Sequence, residues 1–317
     1  MKTPLEYWLA LASVEGLGSV RIRRLIARFG SAQAIFEAEL PEIARLPSFN
    51  PVLASRILTV AGNFETLRKR LDALKAQEVR VMCPEDEAYP PQLKELPDAP
   101  GILCSVGTLT ELSERCVAIV GTKEPTAEGM QLTLSLATQL ALAGFTVVSG
   151  LATGVDAYAH AGALAGMGKT VGIVGSDLSA IYPARNNSLA TKIYEHGCLF
   201  SEHPFPTTPS PGNLIQRNRI ISGLSMATIV IEAAKTGGAM HTAQYAQRQG
   251  RKVITCRWET QHTLGEGPRE LIRTGAIPFA STEVDKVIDM LTHPERLETY
   301  SSSAATEQIG LFETVLS

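Results

Sequence analysis

The chain has 317 residues, 44% hydrophobic and 19% charged, with a formal net charge of -3. That composition excludes a disordered chain and leaves room for a large domain and a small one, each with its own core. A negative total also excludes nucleic-acid binding through overall charge, so any polyanion site has to be local.

From about residue 4 to 76, apolar residues recur at three- and four-residue spacing, as in Leu25, Ile26 and Phe29, which predicts helices. Within this stretch, "VEGLGSVRIRRLIARFGS" runs a Gly16-Leu17-Gly18 hairpin into a helix bearing Arg21, Arg23, Arg24 and Arg28. Further on, "LPSFNPVLASRIL" repeats the layout, with Ser48-Phe49-Asn50 where the glycine pair stood. The first copy resembles a helix-hairpin-helix, whose amides hold a DNA phosphate at a helix N-terminus. The second copy reads as degenerate, and a purely structural helical module fits the stretch equally well.

Residues 77–115 form a Pro-rich bridge with two short strand candidates, Val79–Met82 and Gly101–Val106. Apolar strand candidates then follow at Cys116–Val120, Phe145–Ser149, Thr170–Val174, Cys198–Ser201, Ala227–Ile231 and Lys252–Cys256. Amphipathic stretches such as Ala127–Ala143 and Met240–Gln249 lie between them. Strands of continuous apolar character alternating with helices predict an α/β fold: an extended, Rossmann-like, doubly wound and mostly parallel sheet. The expected division is a helical domain at 1–76, the α/β domain at 77–298 and a flexible tail at 299–317, which opens with "SSSAAT". The five cysteines are scattered and form no C-x-x-C pair, which suits buried thiols in a reducing cytosol. No apolar run reaches membrane-spanning length, and "MKTPLEYW" has no signal-peptide core. The expected setting is therefore cytoplasmic.

Polar and glycine clusters sit just beyond four of these strands. They are Gly121-Thr122-Lys123; Ser149-Gly150 through Gly154 and Asp156; Gly175-Ser176-Asp177 with Arg185-Asn186 behind; and Glu232 with Thr236-Gly237-Gly238. In an open α/β sheet the carboxyl ends of parallel strands share one edge, where ligands bind. Glycine-rich turns and helix N-termini there would face an anion, with Lys123, Arg185, Arg217 and Arg219 adding charge. "QRNRIISGLS" is informative because Arg217, Asn218 and Arg219 open an otherwise apolar helix.

Other chemistries fit less well. "GMGKT" lacks the leading glycine of a nucleoside-triphosphate loop and stands at a helix end before a strand, the reverse of that loop's order. The dinucleotide fingerprint is absent after the first regular strand. The histidines show no metal-ligand spacing, so no metal and no cofactor is expected. His160 stands one helical turn after Asp156, a pair that reads as a helix-start hydrogen-bond feature more than a catalytic dyad.

"VAIVGTKEPTAEG", "VVSGLATGVDAYAH", "YPARNN", "SEHPF", "QRNRIISGLS", "IEAAKTGGAMHTAQYAQRQGRKV" and "LIRTGA" stand together in this order. As a set, covering roughly residues 5–280, they resemble the DNA-processing protein A family (DprA, also called Smf). The resemblance implies a protein that binds single-stranded DNA without hydrolysing a nucleotide, acts as a homodimer and helps load a RecA-type recombinase. It implies a DNA pocket at Gly121, Thr122, Lys123, Ser149, Gly150, Gly154, Asp156, Asn186, Arg217, Asn218, Arg219, Gly237 and Gly238, with Arg185 added from its charge. Thr122-Lys123 stands where the family commonly has Ser-Arg, so a point charge replaces a planar fork. The alternative is a Rossmann-like enzyme that hydrolyses nucleotides, or a nucleotide sensor, in phage defence. The glycine pattern of the related nucleoside-monophosphate-cleaving enzymes is incomplete at Gly237-Gly238-Ala239-Met240-His241-Thr242. Near the end, Gln308, Leu311 and Phe312 resemble the Q-x-x-L-F peptide by which bacterial DNA proteins dock on the replication sliding clamp.

Overall fold

The computed structural model describes residues 4–108, 112, 115–179, 181–259 and 262–295. The tail at 299–317 and the clamp-like peptide Gln308–Phe312 lie outside them. The described residues fall into two compact units. The first takes those of Met1–Val106, Gly175–Ala180 and Phe200–Ser210, and the second those of Gly107–Val174, Ile181–Leu199 and Pro211–Ser317.

The first unit opens with six helices: α1 (Leu5–Ser13), α2 (Ser19–Phe29), α3 (Ala32–Glu37), α4 (Leu40–Ala44), α5 (Pro51–Val60) and α6 (Phe64–Ala76). Local chemistry sets their ends. Gly30, at φ 86°, stops α2 in the left-handed conformation, and the Ser31 side chain accepts from Ala34 N to start α3. Asn50 does the same for α5, accepting from Leu53 N with Pro51 at the first helical position. Strands β1 (Arg80–Met82) and β2 (Leu103–Gly107), with the short helix α7 (Pro91–Lys94) between, pair antiparallel through Val81↔Cys104. One apolar core joins Trp8, Leu25, Ile35, Ile43 and Ile57 to Val79, Cys83, Ile102 and Cys104. The helices and the first part of the Pro-rich bridge thus share an interior across residue 76, because the helices alone leave an apolar face to cover.

The second unit is α/β. In chain order it contains β3 (Cys116–Val120), α8 (Ala127–Leu142), β4 (Thr146–Ser149), α9 (Val155–Ala165), β5 (Thr170–Ile173) and α10 (Asn187–His196). After β6 (Gly197–Ser201) come α11 (Pro211–Gln216), α12 (Asn218–Leu224), β7 (Ala227–Val230), α13 (Gly238–Arg248), β8 (Lys252–Cys256), α14 (Glu266–Arg273), β9 (Ile277–Phe279) and α15 (Val284–Thr292). The strands lie in the order β6-β5-β4-β3-β7-β8-β9, and the pairings from β5 through to β9 are all parallel. Strand order reverses at β3, which neighbours both β4 and β7. Continuous apolar strands follow from this burial on both faces, with Val117, Ile119, Val147, Ile229 and Ile254 fully buried.

The mostly parallel α/β sheet predicted from the sequence is present. One strand it did not predict, β9, is three residues long and carries Pro278, a residue compatible with the free side of an edge strand. In "GMGKT", Gly166 caps the end of α9 and Thr170 starts β5, so the segment runs from helix to strand. All five cysteines are free and buried, and burial pushes the Cys83, Cys104, Cys116 and Cys256 thiols up to about 12. Among the described residues no helix is long and apolar enough to cross a membrane.

Candidate functional site

Parallel neighbours bring the carboxyl ends of β5, β4, β3 and β7 to one edge of the second unit. The loops leaving that edge are tied to one another. Thr122 N donates to Glu232 O at 2.7 Å, joining the β3 and β7 loops, and Val155 N donates to Thr122 O at 3.1 Å, joining β3 to the start of α9. Gly154 sits at φ 75°, and a Cβ there would lie 2.5 Å from Lys123 O. Only glycine meets both demands.

Beneath this edge lies Arg217, which is 4% exposed. Its Nη1 donates to Gly150 O at 2.5 Å and to Ile173 O, and its Nε donates to Asn218 Oδ1 at 3.0 Å. A Cβ on Gly150 would stand 2.5 Å from the Arg217 Cζ, inside the guanidinium. On the other side of the loop, Asp156 Oδ2 accepts from Gly150 N at 3.1 Å and Ala152 N at 3.4 Å. Asn186 Nδ2 donates to Leu151 O at 2.8 Å and Ala152 O at 3.2 Å. The 150–152 backbone is therefore clamped by three buried polar side chains. Burial pushes the Asp156 carboxyl up, against the Arg217 charge and the loop amides, which favour its ionised form.

Glu232, fully buried at the end of β7, braces the next loop. Its carboxylate accepts from Thr126 N at 2.8 Å and Thr126 Oγ1 at 2.6 Å, just where α8 begins. His262 Nε2 stands 3.9 Å from the same carboxylate.

The predicted pocket residues thus separate into three groups by exposure, with Gly150 among the buried ones. Ser149, Asp156, Asn186, Arg217, Asn218 and Arg219 are buried, and Ser149 Oγ donates to Ile119 O at 2.7 Å. Gly121, Thr122, Gly154 and Gly237 are half-buried, while Lys123, Arg185 and Gly238 are exposed. Backbone and side-chain contacts connect the exposed set: Lys123 touches Gly154, Arg185 adjoins the Asn186 that holds the β4 loop, and Asn218 Nδ2 reaches Gly238 O at 3.4 Å. Two further exposed residues stand on these loops, Lys235 and Tyr182. Lys235 was legible as a cation inside "AKTGG", and Tyr182 as an aromatic beside Arg185. Gly175–Ala180 belongs to the first unit, where the Asp177 carboxylate accepts from Ser179 N at 2.8 Å and Thr207 N at 2.6 Å.

Asp156 and His160 do not bond to each other. Thr170 Oγ1 spends its hydrogen on Val147 O at 2.8 Å, so His160 Nδ1, 2.7 Å away, donates to it. Burial, with Arg217 nearby, pushes His160 down to about 3 and keeps it neutral. No group of three metal-ligating side chains occurs among the described residues.

A family model described as DNA recombination-mediator protein A matches residues 80–292. The chain is 34% identical to protein Smf of Synechocystis over 85% of its own length and 69% of the relative's. It is 36% identical to DNA processing protein DprA of Bacillus subtilis, over 69% of this chain and 74% of that one. Among solved structures it is similar to DNA processing protein A from Streptococcus pneumoniae, with a TM-score of 0.77, 28% identity, and 92% and 99% of the two chains covered. The counterpart from Helicobacter pylori, described for its unique single-stranded DNA binding mode, gives a TM-score of 0.61 at 30% identity, covering 68% and 96%.

Proposed function

The chain belongs to the DNA recombination-mediator protein A family, and we propose that it binds single-stranded DNA along the β3-β4-β5-β7 edge of its second unit. The observation that carries this reading is the contrast between exposed and buried cations there. Lys123, Arg185 and Lys235 reach solvent from three interlocked loops, whereas Arg217 is consumed in holding one of them. In this reading the three surface cations meet phosphates, the exposed ring of Tyr182 stacks a base, and the loop backbone supplies amide donors. Arg217, Asp156 and Asn186 are positioning residues that fix the 150–152 backbone. The relative from H. pylori, described for binding single-stranded DNA, supports the same ligand class.

The edge acts by binding and not by turnover. Its two buried carboxylates, Asp156 and Glu232, already accept hydrogen bonds from loop and helix amides, which opposes their use as catalytic acids or bases. Delivery of the bound strand to a RecA-type recombinase, action as a homodimer in the cytoplasm, and docking of Gln308, Leu311 and Phe312 on a sliding clamp belong to this proposal.

Titration of a labelled single-stranded oligonucleotide tests it. With ~3 phosphates neutralised by the surface cations, log Kd against log salt should have a slope of magnitude about 2, at roughly 0.7 per contact for single strands. Lys123→Ala and Arg185→Ala should each weaken all sequences alike and lower that magnitude by about 0.7. Parent-like binding by both variants would refute the assignment. Mononucleotides titrated in parallel, with an assay for released base, separate it from the sensor and hydrolase alternatives.

A further inference from the structure

The first unit contains a duplication that its sequence only half displays. Val14 N donates to Leu11 O at 3.3 Å and Leu17 N to Val14 O at 3.0 Å in the turn after α1. Leu46 N donates to Ile43 O at 3.1 Å and Phe49 N to Leu46 O at 3.0 Å in the turn after α4, the same bonds at a constant sequence offset. Gly16 and Ser48, at that offset, both have positive φ, 82° and 71°. Gly18 and Asn50 both stand extended before the next helix, and their carbonyls accept from Ile22 N and Ala54 N. Ile22 and Leu25 are buried on α2, as are Ala54 and Ile57 on α5. The second hairpin, degenerate by sequence, keeps the backbone of the first.

The two copies brace each other reciprocally. Arg24 donates to Pro47 O at 2.5 Å, while its counterpart Arg56 pairs at 3.7 Å with Glu15, the counterpart of Pro47. Contact of i with j and of j with i marks a two-fold relation.

Equivalent positions also carry equivalent exposed residues. Val20 and Val52, each the second residue of its helix, are 50% and 63% exposed, too open to serve the core. Helix α2 has four arginines and no acidic residue, in a chain whose net charge is -3. Arg21, Arg24 and Arg28 share one of its faces, and Arg45 is exposed at the end of α4.

We infer that this duplicated face docks on the sugar-phosphate backbones of a nucleic-acid duplex, one hairpin to each strand. A duplex is the polyanion whose two antiparallel strands are related by local two-fold axes, and proteins that read both strands mirror that symmetry. The exposed Arg28 and Arg45 meet phosphates, and the paired valines pack on sugar carbons. The remaining N–H groups of Arg21 and Arg24, whose Nη1 atoms hold Gly16 O and Pro47 O, join them. Such contacts position a duplex without reading its sequence. A lone strand has no matching dyad, and charge gathered in one helix supplies locally the attraction that the whole chain lacks. The inference stands independently of the single-strand reading of the other unit. Together they describe a protein that holds a duplex and an unpaired strand with separate surfaces.

The test uses the full chain, a short blunt-ended labelled duplex, and a single strand of the same length. Val20→Glu combined with Val52→Glu places like charge against phosphate at two exposed positions. It should weaken duplex binding about ten-fold or more, equivalent to ~1.4 kcal/mol, and leave single-strand binding within about two-fold. Arg28→Glu, on an exposed turn of α2, should weaken the duplex too and reduce the magnitude of its salt slope by about 0.9. Lys123→Ala should affect the single strand alone, so failure of either surface is visible separately. The inference is overturned if the parent protein does not bind the duplex at low salt. It is equally overturned if these hairpin variants, folded by circular dichroism, bind the duplex as the parent does; Arg28→Glu decides should the double variant not fold.

Discussion

At Gly150 a Cβ would run into the guanidinium of Arg217, and at Gly154 into the carbonyl of Lys123; at Gly16 and Gly18 it would meet nothing within 4 Å. Both pairs lie in turns that a sequence reading assigns to phosphate. In the second unit the close approach that excludes a side chain is made by the protein itself. In the hairpin of the first unit, space is free, and glycine answers only to the backbone, with Gly16 at φ 82°. A glycine-rich turn therefore signals crowding or unusual φ, and neither is evidence of a ligand until the neighbouring atoms are known.

The sharpest way to break this comparison is to remove the neighbour. Arg217→Ala leaves the carbonyls of Gly150 and Ile173 without their donor and Asp156 without its buried counter-charge. A cost of about 4 kcal/mol is expected, typical of splitting a buried charged network. Arg217→Lys should recover little, because a single ammonium cannot span Gly150 O, Ile173 O and Asn218 Oδ1 in one plane. Urea unfolding reads both. A parent-like midpoint in Arg217→Ala would mean that the guanidinium faces solvent and serves a ligand directly.

A smaller effect sharpens the contrast. Gly150→Ala should cost roughly 1–3 kcal/mol, the usual range for overpacking. Gly18→Ala, at an extended and open helix cap, should cost no more than about 0.5–1 kcal/mol, since alanine is merely a poorer cap. Equal melting temperatures for the two variants would erase the distinction between the regions.

Much of the fold was legible because both faces of the parallel sheet are buried, and a doubly buried strand writes itself as an unbroken apolar run. Strand β9 escaped because three residues around Pro278 carry neither length nor alternation. The location of the candidate edge was legible from polar clusters recurring after strands. The direction of each side chain was not. Arg217 and Arg219 look like phosphate ligands in "QRNRIISGLS", yet every residue of α12 is buried. Asn218, Arg219 and Ser222 fall on one side of the helix and read as a solvated face. In the fold Gln249 covers that side, accepting from Ser222 Oγ at 2.6 Å and donating to Arg219 O at 2.9 Å. The second hairpin was under-read for the opposite reason. Serine and asparagine replaced its glycines, while its hydrogen bonds, which sequence does not display, stayed the same.

The smallest expected effect concerns His160, which lies between the clamped β4 loop's helix and β5 and distinguishes a packed interior from a ligand-facing one. Unfolded, its imidazole takes up a proton near 6.5; folded, burial and Arg217 hold it down to about 3. The folded state thus binds fewer protons through this window, so stability is fully present above about pH 6.5 and falls as the pH drops toward about 3. The contribution of this one group is ~1.4 kcal/mol per pH unit well inside the window. His160→Gln cannot titrate, and it loses the bond to Thr170 at every pH. The stability gap between parent and variant should be widest at pH 7 and narrow by about 1 kcal/mol between pH 6 and pH 5. A gap that stayed constant across that range would mean that His160 is hydrated in solution, and that the loop above it opens far enough for water, or a phosphate, to enter.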